Sequence, residues 1–103
     1  KHAVDVPRIT DAIEAVPIST VTFESLLDDE AVQHLDLLQL DAEGFDAQLL
    51  AWFPWHRLRP GLVHYEVVHM ASIDREQLGA RFESMGYRVF PGEGDTDDMA
   101  VLL

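Results

Sequence analysis

The chain contains no cysteine, so it has neither a disulfide framework nor a thiolate metal site, and its redox compartment leaves no trace. Positive charge is scarce: 7 Lys and Arg stand against 19 Asp and Glu, a formal net charge of -12. Nucleic-acid affinity rests on basic side chains displacing phosphate counterions, so this balance argues against a nucleic-acid partner. A polybasic membrane-surface site is disfavoured for the same reason, and no apolar run approaches the ~20 residues that span a bilayer. The start, Lys1-His2-Ala3-Val4-Asp5, lacks the apolar core of a signal peptide and an initiator Met, as a trimmed or excised segment would. Together these absences point to a soluble, cytoplasmic protein. Glycine-rich phosphate loops, a Gly-x-Ser-x-Gly elbow and His-x-x-x-His spacing are missing too.

What is present is core-forming material. Hydrophobic residues make up 48% of 103 residues, enough for one small domain or part of a larger one. Residues 1–15 read as a linker or irregular lead-in. Pro17 forces an extended path, and Ile18 to Thr22 reads as a short β-branched strand. Thr22 is an N-cap for a helix with Phe23, Leu26 and Leu27 on one stripe, fading around residues 30–33. The Leu-rich run from Leu35 to Leu40 is ambiguous by propensity, but the Gly44 that follows favours a buried strand leaving through a tight turn. Phe45, Leu49, Leu50 and Phe53 recur at helical spacing, with Asp46 suited to the positive end of the helix dipole, and Pro54 stops that helix.

Leu62 to Val68 is the clearest strand, apolar on both faces as in a sheet covered by helices on both sides. Asp74 with Gln77, flanked by Ile73 and Leu78, reads as a capping box with a hydrophobic staple. Leu78, Phe82 and Met85 continue the buried stripe to a Gly86 stop. Tyr87 to Phe90 and Met99 to Leu103 are strands joined by a polar loop, hence an antiparallel hairpin if they pair directly. Strands alternating with helices imply an α/β fold with a mostly parallel sheet, whose ligands bind at the carboxyl edge.

Two clusters fall on that edge: Asp41-Ala42-Glu43-Gly44, and Glu66 to His69. If their strands are neighbours, Asp41, Glu43, Glu66 and His69 face one crevice. They would serve either to take a proton from a hydroxyl or amine, or to hold a hard divalent cation. Plain structural roles compete: Asp41 as a helix cap, Glu43 as a solvated turn residue, His64 as a satisfied histidine, and Trp52, Phe53 and Trp55 as core.

The stretch Val16-Pro17-Ile18-Ser19-Thr20-Val21-Thr22-Phe23-Glu24-Ser25-Leu26-Leu27, with the strand closing on Asp41-Ala42-Glu43-Gly44, the Leu49-Leu50 pair and the strand ending in Glu66, resembles the FkbM methyltransferases. Gly86-Tyr87 resembles the turn into the terminal hairpin of Rossmann-type methyltransferases. The resemblance covers residues 16–103, a partial methyltransferase domain. It implies the C-terminal half of the family's sheet, strands four to seven of the order 3-2-1-4-5-7-6: parallel strands with a terminal antiparallel hairpin. It also implies methyl transfer from S-adenosylmethionine to a small-molecule acceptor, commonly a hydroxyl of a sugar or natural product. Asp41 and Glu43 would be catalytic and Glu66 and His69 would bind the acceptor, with no metal. The N-terminal half that grips the cofactor has no counterpart here, so an inactive fragment is expected on its own. The Leu35–Leu40 edge would then need a second copy or further chain to pair with. A non-catalytic interaction module of degenerate methyltransferase fold is the alternative, and a metal-dependent variant with Asp41 and Glu66 as ligands is a third reading.

Overall fold

The computed structural model describes residues 9–103; residues 1–8, including part of the 1–15 lead-in and His2, lie outside the described residues. A 3-10 turn at Ile9–Ala12 is followed by residues 13–22 without regular structure. The strand expected at residues 18–22 is therefore absent. Ile18 is 81% exposed and Val21 65%: β-branched residues favour a strand only where a neighbour supplies hydrogen bonds and burial.

Helix α1, Phe23–Asp29, begins as expected: the Thr22 hydroxyl accepts the Ser25 N–H at 3.1 Å, and Leu27 is buried. Leu26, expected on the same stripe, is exposed. Strand β1 (Leu37–Gln39) leads to helix α2 (Asp46–Trp52), strand β2 (Leu62–Glu66) and helix α3 (Ser72–Ser84). Strands β3 (Tyr87–Pro91) and β4 (Asp97–Leu102) follow, with a 3-10 turn at Glu93–Asp95 between them. Helix α3 starts earlier than the capping-box reading required. Ala71 is its cap and makes no side-chain hydrogen bond, while Asp74 lies in the first turn as a dipole partner. Ile73 is exposed, so the staple is not formed.

The sheet order is β1-β2-β4-β3. β1 and β2 pair in parallel with Leu38 opposite Val63, while β4 runs antiparallel to both β2 and β3. The terminal hairpin thus inserts its last strand beside β2, and one of three pairings is parallel rather than most of them. β1, β2 and β3 still run the same way, so the right-handed crossover preference sends α2 and α3 to a common face. There Leu50, Phe53, Trp55, Val63, Tyr65, Phe82, Tyr87 and Ala100 form the core. The Phe82 ring lies between Trp55, Tyr65 and Tyr87, with centroids 5.3–5.5 Å away. Phe53 and Trp55 are core, whereas Trp52 is 59% exposed.

β2 was expected to be buried on both faces. Instead Val63 and Tyr65 are buried, and Leu62, His64 and Glu66 on the opposite face are half-buried. Leu37, Phe90 and Met99 share that opposite face and are exposed, because among the described residues no layer covers it. Two polar ties lock the hairpin to the core. The Arg75 guanidinium donates to both oxygens of the buried Asp98 at 2.7 and 2.9 Å, and the Tyr87 hydroxyl donates to the Pro60 carbonyl at 2.6 Å.

Candidate functional site

The parallel register brings the carboxyl ends of β1 and β2 side by side. The Leu40 N–H donates to the His64 carbonyl at 2.8 Å, which continues the ladder to the last residue before Asp41. The chain then turns sharply. The Phe45 N–H closes on the Ala42 carbonyl at 3.2 Å, and both central residues take positive φ, Glu43 at 49° and Gly44 at 99°. Two consecutive positive φ values are the mark of a mirror-image turn. Glycine takes such angles freely, whereas glutamate does so at a cost on the order of 1 kcal/mol. Gly44 also lies close to His69: a Cβ there would stand 3.4 Å from the His69 Cβ, in van der Waals contact. Backbone strain at Glu43 is localised where the side chain points toward the neighbouring strand end.

After β2, the Met70 N–H bonds the Val67 carbonyl, and this turn carries His69 back toward Glu43. His69 Nε2 stands 3.8 Å from Glu43 Oε2 and 3.8 Å from Glu66 Oε1. These separations are too long for direct hydrogen bonds and leave room for a shared guest. Glu66 Oε1 is buried without a hydrogen-bond partner, although the side chain as a whole is 23% exposed. Partial burial raises the Glu66 carboxyl above its ordinary range, and the nearby charges of Asp41, Glu43 and Asp46 push the same way against the opposing effect of His69. The cleft is small, about 80 Å³, and is also lined by Gly44, Ala47, Met70, Ala71 and Asp74.

All four residues expected at the working edge are therefore there, though not equally engaged. Glu43, Glu66 and His69 converge within 4.8 Å of one another. Asp41 is exposed and caps no helix; it acts on Glu66 through its charge. Two O donors and one N donor would suit a hard or borderline divalent cation, but three groups, two of them exposed, make an open and incomplete shell. His64, half-buried on the sheet face, lies 3.3 Å from Asp97.

The sequence reading missed Asp46 as part of this site. It is 1% exposed, and its two carboxylate oxygens accept the Ala42 N–H at 2.8 Å and the Glu66 N–H at 2.9 Å. A signal was available: Asp46, Leu50 and Phe53 follow i, i+4, i+7 spacing, which puts the carboxylate on the buried stripe.

A second, larger hollow of about 880 Å³ is lined by apolar groups of α1, α2 and the segments around them, including Val21, Phe23, Leu26, Leu40, Leu49 and Trp52. It offers packing surface, with Glu24 as its one charged group.

A sheet of order β1-β2-β4-β3, parallel and then closed by an antiparallel hairpin, with acidic groups converging at its carboxyl edge, is part of a Rossmann-like α/β fold. The family model of the FkbM methyltransferase domain matches residues 3–89, and the chain belongs to that family. Comparison with curated proteins and with solved structures finds no match. Among the described residues, no helix is long and apolar enough to cross a membrane.

Proposed function

We propose that this methyltransferase chain forms the acceptor side of an S-adenosylmethionine-dependent enzyme, with a hydroxyl of a sugar or natural product as methyl acceptor. The observation that carries this reading is the convergence of Glu43, Glu66 and His69, with Asp41 beside them, where two parallel strands end. The described residues do not fit the cofactor itself. They offer no glycine-rich turn opening onto a helix, so none of them is assigned to hold it.

Their chemistry suits the acceptor. A hydroxyl placed in the cleft must be oriented and must lose its proton as its oxygen forms the new bond to carbon. Glu43, held toward the cleft by its turn, accepts that proton, and Asp41 serves the same edge from solvent. Glu66 and His69 orient the acceptor: the Glu66 carboxyl and the His69 imidazole both line the cleft, and the imidazole either donates or accepts a hydrogen bond.

In a methyl-transfer assay of the active enzyme, the double variant Asp41→Asn/Glu43→Gln loses about 100-fold or more in kcat, within the range of a lost general base. Undiminished transfer would overturn the base assignment. Calorimetry of the 103-residue chain with S-adenosylmethionine should show weak binding or none, and sub-micromolar affinity would overturn the placement of the cofactor outside these residues. The open edge of β1 favours a second reading, a non-catalytic module that assembles through this edge, for which transfer would be absent in every assembled form.

A further inference from the structure

We propose that Asp46 is a positioning residue that sets the distance between the two halves of the acceptor cleft, an inference that rests on the acceptor-side reading above. Its carboxylate is the direct tie between them. One oxygen takes the N–H of Ala42, the residue that opens the turn bearing Glu43; the other takes the N–H of Glu66, 20 residues further along the chain. At 1% exposure no solvent competes for either bond, and an ionised carboxylate receiving two backbone N–H groups makes charge-assisted bonds stronger than neutral ones.

The geometry separates this role from that of a helix cap. Asp46 is the first residue of α2, and the cap, Phe45, makes no side-chain hydrogen bond. A carboxylate serving the helix would bond the free N–H groups of the first turn. This one instead turns back to the preceding loop and across to the next strand. Its position also fixes the strained element. The Ala42 N–H that it holds belongs to the turn in which Glu43 takes positive φ, and Gly44 in that turn lies against His69. Releasing Asp46 would let Glu43 relax and would open the contact between the two loops. Asp46 does not reach the acceptor; it acts through Glu43, Glu66 and His69.

The test is NMR of the 103-residue chain, wild type and Asp46→Asn. The isosteric amide keeps one acceptor and turns a donor toward the other N–H. Hydrogen exchange at the Ala42 and Glu66 amides should accelerate together by about tenfold or more, and the nuclear Overhauser contact between Gly44 Hα and the His69 side chain should vanish. The amides of Ser72–Ser84 should be unchanged. Acceleration at Ala42 alone, or a retained Gly44–His69 contact, would overturn the proposal. Should Asp46→Asn fail to fold, wild-type protein decides: through-hydrogen-bond coupling from the Asp46 carboxyl carbon to both the Ala42 and Glu66 nitrogens supports the tie, and its absence at Glu66 refutes it. In the active enzyme a folded Asp46→Asn lowers kcat/KM for the acceptor about 100-fold, the cost of a displacement near 1 Å, and leaves cofactor affinity unchanged. Unchanged kcat/KM would overturn the positioning role. Absence of transfer in wild type would instead count against the acceptor-side reading and leave the exchange result to judge the tie.

Discussion

Glu66 brings together most of what is unusual at single residues in this chain. It ends β2, leaves one oxygen buried without a donor, and faces three other carboxylates and one imidazole. A carboxyl whose folded pKa stands above its unfolded value stabilises the fold in its protonated form. That contribution is fully present below the unfolded value near 4.5 and is lost as pH rises through the folded value. Glu66→Gln, which mimics the protonated form, should raise the Tm at pH 7, and the gain over wild type should shrink as the pH approaches 4.5. Thermal melts followed by circular dichroism across that range check it; a gain that grew toward acid pH would reverse the sign of the argument. The Asp-x-Glu-Gly motif was legible from residue types alone. The positive φ of Glu43 was not, since glutamate carries no signal for a conformation that its neighbours impose.

Among the elements, α3 shows both sides of local reading. Its interior stripe of Leu78, Phe82 and Met85 and its Gly86 terminus, at φ 93°, follow from periodicity and from glycine's freedom in left-handed backbone. Its start does not: the chain enters the helix two residues before Asp74, and no side chain caps it. Phe82 is fully buried and joins α3 to β2, β3 and the segment after α2 through three ring contacts. Phe82→Ala should cost about 3–5 kcal/mol through lost transfer energy and the cavity left behind. For a domain whose total stability is about 5–15 kcal/mol, that is a large share of the total, and the urea midpoint should fall by roughly 1 M or more. A midpoint close to wild type would show that the aromatic cluster is not the core. Residues 18–22 illustrate the opposite failure, a β-branched stretch with strand propensity and no neighbour to pair with.

For the whole molecule, the open side of β1 is the feature that matters most. Among the described strands β1 is bonded on one side only, and Leu37 is 46% exposed. Such an edge is a template for pairing with another strand. Sedimentation velocity should show concentration-dependent self-association of the 103-residue chain, strengthened by salt as the net charge of -12 is screened. Leu37→Lys, which adds a charge to the edge, should shift the chain toward monomer. A wild-type chain that stays monomeric at every concentration and ionic strength would refute edge pairing.

The period of the apolar residues, the Thr22 cap, the Gly86 stop and the alternation of helix with strand were readable along the chain, because each depends on groups within a few residues of one another. The α/β class and the placing of Asp41, Glu43, Glu66 and His69 at strand carboxyl ends followed from that local information, whereas the pairing of β1 with β2 that brings them together came from the tertiary structure. Three things depended on residues far apart in sequence. These are the bare sheet face opposite the helices, the strained turn that aims Glu43 at His69, and the Asp46 carboxylate shared between Ala42 and Glu66. The physical reason is common to them. Burial and hydrogen-bond partnership across 20 or more residues are set by which surfaces the packed chain brings into contact, and no single segment encodes its partner.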